Sequence, residues 1–456
     1  MSRLVVVSNR LADPRKAAAG GLAVALGDAL SATGGVWFGI ADDTPQSDEV
    51  KLKRAGKVTL ATIGLSEEDH RTYYRGYSNA VLWPVFHGRL DLAQFDSGYL
   101  EGYRRVNRLM ASRLASLLEP DDIIWVHDYH LIPLAAELRV LGCRQRIGFF
   151  LHIPLPPPWI LTAIPAHDWL MRSLFAYDLV GLQSRTDMAH LQRYLVAEAA
   201  AEVVGEDTFA VSGRLLRANA FPIGIDVEDF EALAQGEAAQ QTYTTMREEY
   251  ARRQLLVGVD RLDYSKGLPQ RLRAFQKLLE HHPETRQRAT LIQVAAPSRD
   301  DVDAYGEIRR ELESLCGAIN GDYGDLDWMP VRYIHRAVAR ARLPGLYRAS
   351  RVGMVTPLRD GMNLVAKEFV ASQDPADPGI LVLSHFAGAA EQMTDALLVN
   401  PYDTDSTAEA IQQALTMPLE ERQARHQRLL AGIRSHDVHR WRQSFLDALM
   451  ATGDGA

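Results

Sequence analysis

Seven residues in this chain have the chemical types and the placement to act on a charged substrate. Arg10, Arg261, Lys266 and Arg299 stand just beyond short apolar runs, and Asp128, His152 and Asp360 occupy the same kind of position. Arg offers phosphate a planar bidentate fork and Lys a mobile point charge. With the backbone N–H groups of helix N-termini, four such cations can neutralise a diphosphate without a metal. Taken singly, each is more often a surface charge or a satisfied core histidine; together they point to an active cleft. The stretch RVGMVTPLRDGMNLVAKEFV (351–370) adds a strand that opens through an Arg-Asp-Gly turn into a helix beginning near Asn363, with Asp360 and Glu368 bracketing its start. Such a helix start favours an anion.

Metal chemistry finds little support. Asp-x-Asp pairs occur at 301–303, 325–327 and 403–405, each in polar loop or helix context, and read as solvated surface. His127 and His130 would need a third ligand for zinc, and none is evident. Gly20 and Gly21, ahead of an apolar segment, can bring backbone close to a ligand. They do not form the Gly-x-Gly-x-x-Gly of dinucleotide binding, which counts against a dehydrogenase. The segment EEDHRTYYRGYSNAVLWPVFHGR gathers Tyr73, Tyr74, Tyr77, Trp83 and Phe86 in what reads as a polar loop region. Exposed aromatic faces there would pack on sugar rings, although core packing is the commoner use of any one of them.

These residues are positioned by alternating elements. Apolar runs LVVV (4–7), DIIWV (122–126), RIGFFL (146–151) and DLVGL (178–182) are followed by QLLVGV (254–259), TLIQVAA (290–296), VRYI (331–334), VGMVT (352–356) and ILVLS (380–384). Continuous apolar strands separated by amphipathic stretches require a parallel sheet covered on both faces, and two series imply two doubly wound α/β domains. We place the first over 1–230 and the second over 231–435. The charged segment 436–456 closes the chain as helix. A length of 456 residues suits two domains, and hydrophobic and charged fractions of 47% and 24% suit a globular protein. The net charge of −8 argues against nucleic acid or a membrane surface as partner. Two unpaired cysteines fit a reducing cytoplasm, and no span or signal peptide is evident.

In order along the chain, VVVSNR, AGGLA, NAVLWPVFH, IIWVHDYHL, FFLHIP, FPIGID, VDRLDYSKGLPQR, PSRDDV and PLRDGMNLVAKEF resemble the blocks of the UDP-forming trehalose-6-phosphate synthases. The resemblance runs from residue 4 to about 402 and implies a stand-alone synthase. It implies a GT-B fold, with two Rossmann-like domains facing across a cleft and a last helix returning to the first. It also implies transfer of glucose from UDP-glucose to glucose 6-phosphate, with retention, giving α,α-trehalose 6-phosphate and UDP.

Matched by motif, Arg10, Tyr74 and Arg299 would hold the acceptor phosphate, with Trp83 and Asp128 lining the acceptor pocket. Gly21, Leu364 and Val365 would approach the donor, Arg261 and Lys266 would grip its diphosphate, and Glu368 would bond the ribose. His152 and Asp360 would hold the glucosyl ring. Arg261, Lys266, Asp128 and His152 are therefore the expected catalytic set, with no cofactor and no metal; UDP-glucose is a substrate. A homo-oligomer is compatible with this reading. Two departures fall near the expected donor entrance: a short loop at 11–19, and Ile40 where a second Trp is expected.

No carboxylate stands out as a nucleophile for a covalent intermediate, so same-face attack is the expected route. The alternatives are a related transferase using another acceptor, such as glycerol 3-phosphate, or another donor, such as GDP- or ADP-glucose. A nicotinamide-dependent oxidoreductase and a non-catalytic sugar-phosphate sensor are more distant.

Overall fold

The computed structural model describes residues 2–11, 26–27, 30, 34–41, 49–211, 213–298 and 303–452. The chain forms two compact units, Met1–Ile223 with His439–Ala456, and Gly224–Val438. The sequence placed the breaks at 230 and 435; the chain leaves the first unit at Ile223 and re-enters it at His439. Gly224 abuts backbone there: a Cβ would lie 2.3 Å from the His436 carbonyl oxygen.

The strands of the first unit are β1 (Leu4–Arg10), β2 (Gly35–Ile40), β3 (Lys51–Ala55), β4 (Val58–Ile63), β5 (Ile123–His127), β6 (Arg146–Phe150), β7 (Leu179–Leu182), β8 (Glu202–Val203), β9 (Thr208–Val211) and β10 (Arg214–Ala220). They lie in the order β3-β4-β2-β1-β5-β6-β7-β10-β9-β8. From β4 to β10 neighbouring strands are parallel, and antiparallel pairs close both edges. The central strands are buried as their apolar runs demand, whereas four of the five residues of β3 are exposed and include two Lys and an Arg. Charge along an edge strand discourages pairing with another chain. From β1 the chain moves outward through β2 and β4, then returns to lay β5 on the other side of β1. That reversal is a topological switch point, where such sheets leave a crevice beyond the carboxyl ends of the strands.

The second unit repeats the device with β11 (Gln254–Arg261), β12 (Ala289–Ala296), β13 (Val331–Ile334), β14 (Val352–Val355), β15 (Ile380–Ser384) and β16 (Leu397–Val399). All pairs are parallel, in the order β13-β12-β11-β14-β15-β16, so the switch lies between β11 and β14. The fold is thus α/β with two doubly wound, Rossmann-like sheets.

Two helical segments bear on the site. Residues His70–Leu82 form a π-helical stretch that runs into the α-turn Trp83–Phe86, not the polar loop expected from its composition. Tyr73, Tyr77, Trp83 and Phe86 are buried there, so packing against the helix Ser97–Ala115 outweighed the local polarity. The helix Val438–Met450 is the last element of the described residues. Its Trp441 and Phe445 rings pack on Trp125 of β5, at 5.0 and 4.9 Å between centroids.

Candidate active site

In the first unit the candidate residues collect at the β1/β5 switch point. Arg10 ends β1, and its guanidinium lies 4.8 Å from the centroid of the Tyr74 ring, a cation–π contact. The Tyr74 ring is stacked on His130 at 5.9 Å. His130 lies 3.9 Å from Tyr129, and Tyr129 lies 5.7 Å from Trp83. One aromatic file therefore joins three of the expected acceptor residues, Arg10, Tyr74 and Trp83. Ile40, the unexpected residue at the end of β2, is the register partner of Arg10.

Asp128 follows β5 with φ 76° and ψ 165°. A non-glycine residue there stores about 1–3 kcal/mol and persists only where its surroundings over-determine it. Two bonds to the neighbouring strand end do so: the Asp128 N–H donates to the Phe150 carbonyl (2.8 Å), and the His152 N–H donates to Asp128 Oδ1 (3.2 Å). Asp128 and His152, from different strand ends, are thereby clamped together. The His152 ring meets His127, Nε2 to Nδ1, at 3.0 Å. Burial pushes His152 down to about 3, and burial with the nearby His152 holds His127 well below the usual histidine range. Both rings are neutral at any pH near 7.

In the second unit Arg261 ends β11, and a tight turn follows. Asp263 caps it, its carboxylate accepting from the Ser265 N–H (3.0 Å) and the Tyr305 hydroxyl (3.1 Å). Gly267 closes the turn at φ 64°, where a Cβ would lie 2.5 Å from the Thr356 carbonyl oxygen. The turn delivers Lys266, whose Nζ is 2.5 Å from Asp360 Oδ2; the same oxygen accepts from Asn363 Nδ2 at 3.0 Å. Asn363 precedes the helix Leu364–Ala371 and, like Asp128, is a non-glycine at positive φ (72°). Glu368 is one turn into that helix and partly exposed, but its surroundings are dry enough that burial pushes its carboxyl up to about 7.

Beneath the switch point, Arg271 is buried. Its Nη1 donates to Asp260 Oδ2 (2.6 Å) and Gln293 Oε1 (3.0 Å), and its Nε donates to Thr356 Oγ1 (3.0 Å). It ties β11, β12 and the segment after β14 together. Gly258 leaves room for it, since a Cβ there would lie 2.3 Å from Nη1.

The expected residues therefore divide between two switch points: Arg10, Tyr74, Trp83, Asp128 and His152 at one, and Arg261, Lys266, Asp360, Leu364, Val365 and Glu368 at the other. Gly21 and Arg299 lie outside the described residues. Among the described residues, no group of three or more His, Cys, Asp or Glu converges on a metal position, and no helix is long and apolar enough to cross a membrane. The sequence assigns no role to Asn363, Arg271 or Gln183, although Asn363 marks the expected helix start and Arg271 closes the block VDRLDYSKGLPQR. Gln183 stands just past the apolar run 178–182, so the strand-end rule that selected His152 would have selected it too. Arg271 gives no such signal, because an Arg in an amphipathic helix that also carries Arg273 looks solvated.

Comparison with known proteins agrees over the whole length. The model of glycosyltransferase family 20 matches residues 5–451. A curated trehalose-6-phosphate synthase from Sinorhizobium fredii is 48% identical, covering 100% of this chain and 99% of that protein. The crystal structure of an alpha,alpha-trehalose-phosphate synthase (UDP-forming) from Burkholderia xenovorans in complex with glucose-6-phosphate is 48% identical and superposes with a TM-score of 0.95, covering 99% of this chain and 100% of that one. A solved chain from E. coli bound with UDP-2-fluoro glucose is 47% identical, with a TM-score of 0.95 and 99% of each chain covered. Two doubly wound units carrying this arrangement of residues, matched from end to end, have one assignment: the chain belongs to glycosyltransferase family 20.

Proposed function

We propose that the protein transfers glucose from UDP-glucose to glucose 6-phosphate, releasing UDP and α,α-trehalose 6-phosphate with the donor's anomeric configuration retained. The observation that carries this reading is the full-length likeness to UDP-forming trehalose-phosphate synthases, one of them solved with glucose-6-phosphate and a related chain with a UDP-glucose analogue. Cations and polar side chains at the strand ends of both switch points support it.

In this reading Arg10 and Tyr74, with Arg299, hold the phosphate of the acceptor, and Trp83 and Asp128 orient its hydroxyls. Arg261 and Lys266 stabilise the charge that grows on the leaving diphosphate, the kind of preorganised electrostatic help that dominates many enzymatic rate enhancements. Gly21 and the backbone of Leu364 and Val365 approach the donor, Glu368 bonds its ribose, and Asp360 and His152 hold its glucosyl ring. The acceptor hydroxyl attacks from the face the diphosphate leaves, and the departing phosphate oxygen takes its proton. His127, which is buried, and the half-buried His152 are both held neutral and are poor candidates for that proton. The Lys266–Asp360 pair is already formed, so Lys266 reaches the diphosphate from a partner that itself faces the sugar.

We further infer that the reaction needs no metal, since cations stand where a metal would otherwise neutralise the diphosphate, and that the enzyme works in the cytoplasm. The test is UDP release from UDP-glucose with and without glucose 6-phosphate, in EDTA, with the sugar product identified by NMR. Release that requires glucose 6-phosphate, survives EDTA and yields an α,α-1,1 linkage is expected. Release with another donor or acceptor alone would reassign the substrate on the same fold.

A further inference from the structure

Behind His152 lies a polar relay that the reaction as read above does not use. Gln183, just beyond β7, is buried, and its side-chain oxygen accepts from the Ile223 N–H at 3.1 Å. A backbone N–H can only donate, so the amide orientation is fixed: oxygen toward Ile223, nitrogen toward His152 Nδ1 at 3.4 Å. An NH2 facing Nδ1 requires that nitrogen to be the bare, accepting one. The proton of neutral His152 therefore sits on Nε2 and is donated to His127 Nδ1 at 3.0 Å. His127 in turn carries its proton on Nε2, a buried atom without a hydrogen-bond partner among the described residues; the Trp125 and Trp441 rings lie 4.5 and 6.4 Å from the His127 ring, centroid to centroid. The opposite tautomers would turn the Gln183 NH2 against the Ile223 N–H and strand a buried backbone donor.

We infer that Gln183 is a positioning residue: held by the Ile223 N–H, it fixes His152 with Nδ1 bare and Nε2–H spent on His127, so the ring meets the donor sugar as a rigid neutral surface and takes no part in proton transfer. The link to the donor rests on the proposed role of His152. The groups facing the ring are His127, Gln183, the Asp128 carboxylate that accepts its backbone N–H, Phe150 (4.7 Å) and Trp441 (6.1 Å). Of these, Gln183 can be made an acceptor without change of shape, by Gln183→Glu. A carboxylate there accepts where the amide donates, which moves the His152 proton to Nδ1 and raises the pKa of the ring.

The experiment is 15N NMR of the full-length protein labelled at histidine, with His152 identified by loss of its signal in His152→Asn, together with kinetics of Gln183→Glu from pH 5 to 9. Wild type is expected to show bare Nδ1 and protonated Nε2 on His152, with no titration in that range. In Gln183→Glu the tautomer flips. With UDP-glucose and glucose 6-phosphate, kcat is then expected to fall on the order of 10-fold, as for other residues that orient a ligating histidine. A new acid limb accompanies that loss, and KM for glucose 6-phosphate hardly moves. A protonated Nδ1 in wild type overturns the relay, and that spectrum decides the point even if the variant does not fold. A flipped tautomer with unchanged kinetics overturns the role of Gln183 in the reaction by removing His152 from the donor side, and leaves the transferase reading standing.

Discussion

The two switch points solve the same topological problem with opposite chemistry. At β1/β5, beside the exposed Arg10, stand the neutral pair His127 and His152 and a file of aromatic rings, and the strained Asp128 is held by bonds to the adjoining strand end. At β11/β14 the equivalent ground is ionic, with Arg271 on Asp260 below the strand ends and Lys266 on Asp360 above them. A neutral, rigid surface suits sugar hydroxyls, which need fixed donors and acceptors. An ionic surface suits a leaving diphosphate, whose charge grows during the reaction. Each switch point also holds one non-glycine residue at positive φ, Asp128 in one and Asn363 in the other. Strain of this kind is kept where the surroundings insist on a geometry.

The largest expected effect comes from breaking the ionic side from below. Arg271→Met leaves Asp260 as a buried charge without its partner, and such a loss costs about 3–5 kcal/mol of stability. Chemical denaturation followed by a probe in the second unit would register it; a loss under about 1 kcal/mol would mean that water reaches Asp260 and the pair is not a strut. Next comes the charge above the strand ends. Lys266→Ala is expected to lower kcat by about 10²–10³, or 2.7–4 kcal/mol, as when one preorganised donor to a developing anion is removed. Arg261→Ala should act alike, and turnover near wild type in either variant would remove that residue from the leaving-group site. On the aromatic side, Arg10→Ala removes a charged phosphate contact of about 1.5–3 kcal/mol. KM for glucose 6-phosphate should rise while the donor KM stays, and a loss confined to the donor would reverse the assignment of the two units.

How much of this was legible in the sequence follows from what each residue leaves there. The central strands β1, β5, β6, β11 and β12 are continuous apolar runs because both faces are covered, and such runs are easily found. The edge strand β3 carries Lys and Arg at exposed positions, β10 is interrupted by Arg214 and Arg217, and the other edge strand, β8, has two residues; none has a run to find. Asp128, His152, Lys266 and Asp360 could be selected because strand ends are where such folds bind ligands. Their couplings could not be. The bond from the His152 N–H to Asp128 depends on the register of β5 against β6, and the Lys266–Asp360 pair joins residues 94 apart. The π-helical stretch His70–Leu82 reads as a loop because Tyr73 and Tyr77, polar by composition, are buried against a helix the local sequence does not contain.

The smallest effect, and the one that sharpens the contrast most, concerns Glu368. Its carboxyl is pushed up to about 7 by burial, while the adjoining Lys367 is pushed down to about 7 by the same cause. For Glu368, native and unfolded chains are both protonated below the usual carboxylate value of 4.5. Between 4.5 and 7 the unfolded chain loses its proton and the native one keeps it, so native stability falls as pH rises through that window. For Lys367 the native chain is neutral and the unfolded chain charged from about 7 up to 10.5, so stability rises with pH there. Together they place a minimum near neutrality in the ligand-free protein. Glu368→Gln removes the falling limb and leaves the rising one, so the variant should be the more stable protein above pH 7 and no different below pH 4.5. Thermal unfolding of both proteins across that range checks the sign. If Glu368 bonds the ribose, the same substitution also weakens UDP-glucose binding at pH 8, where the lost group was a carboxylate, more than at pH 5, where it was already neutral. A stability gain without that pH-dependent loss would separate burial of Glu368 from any contact with the donor.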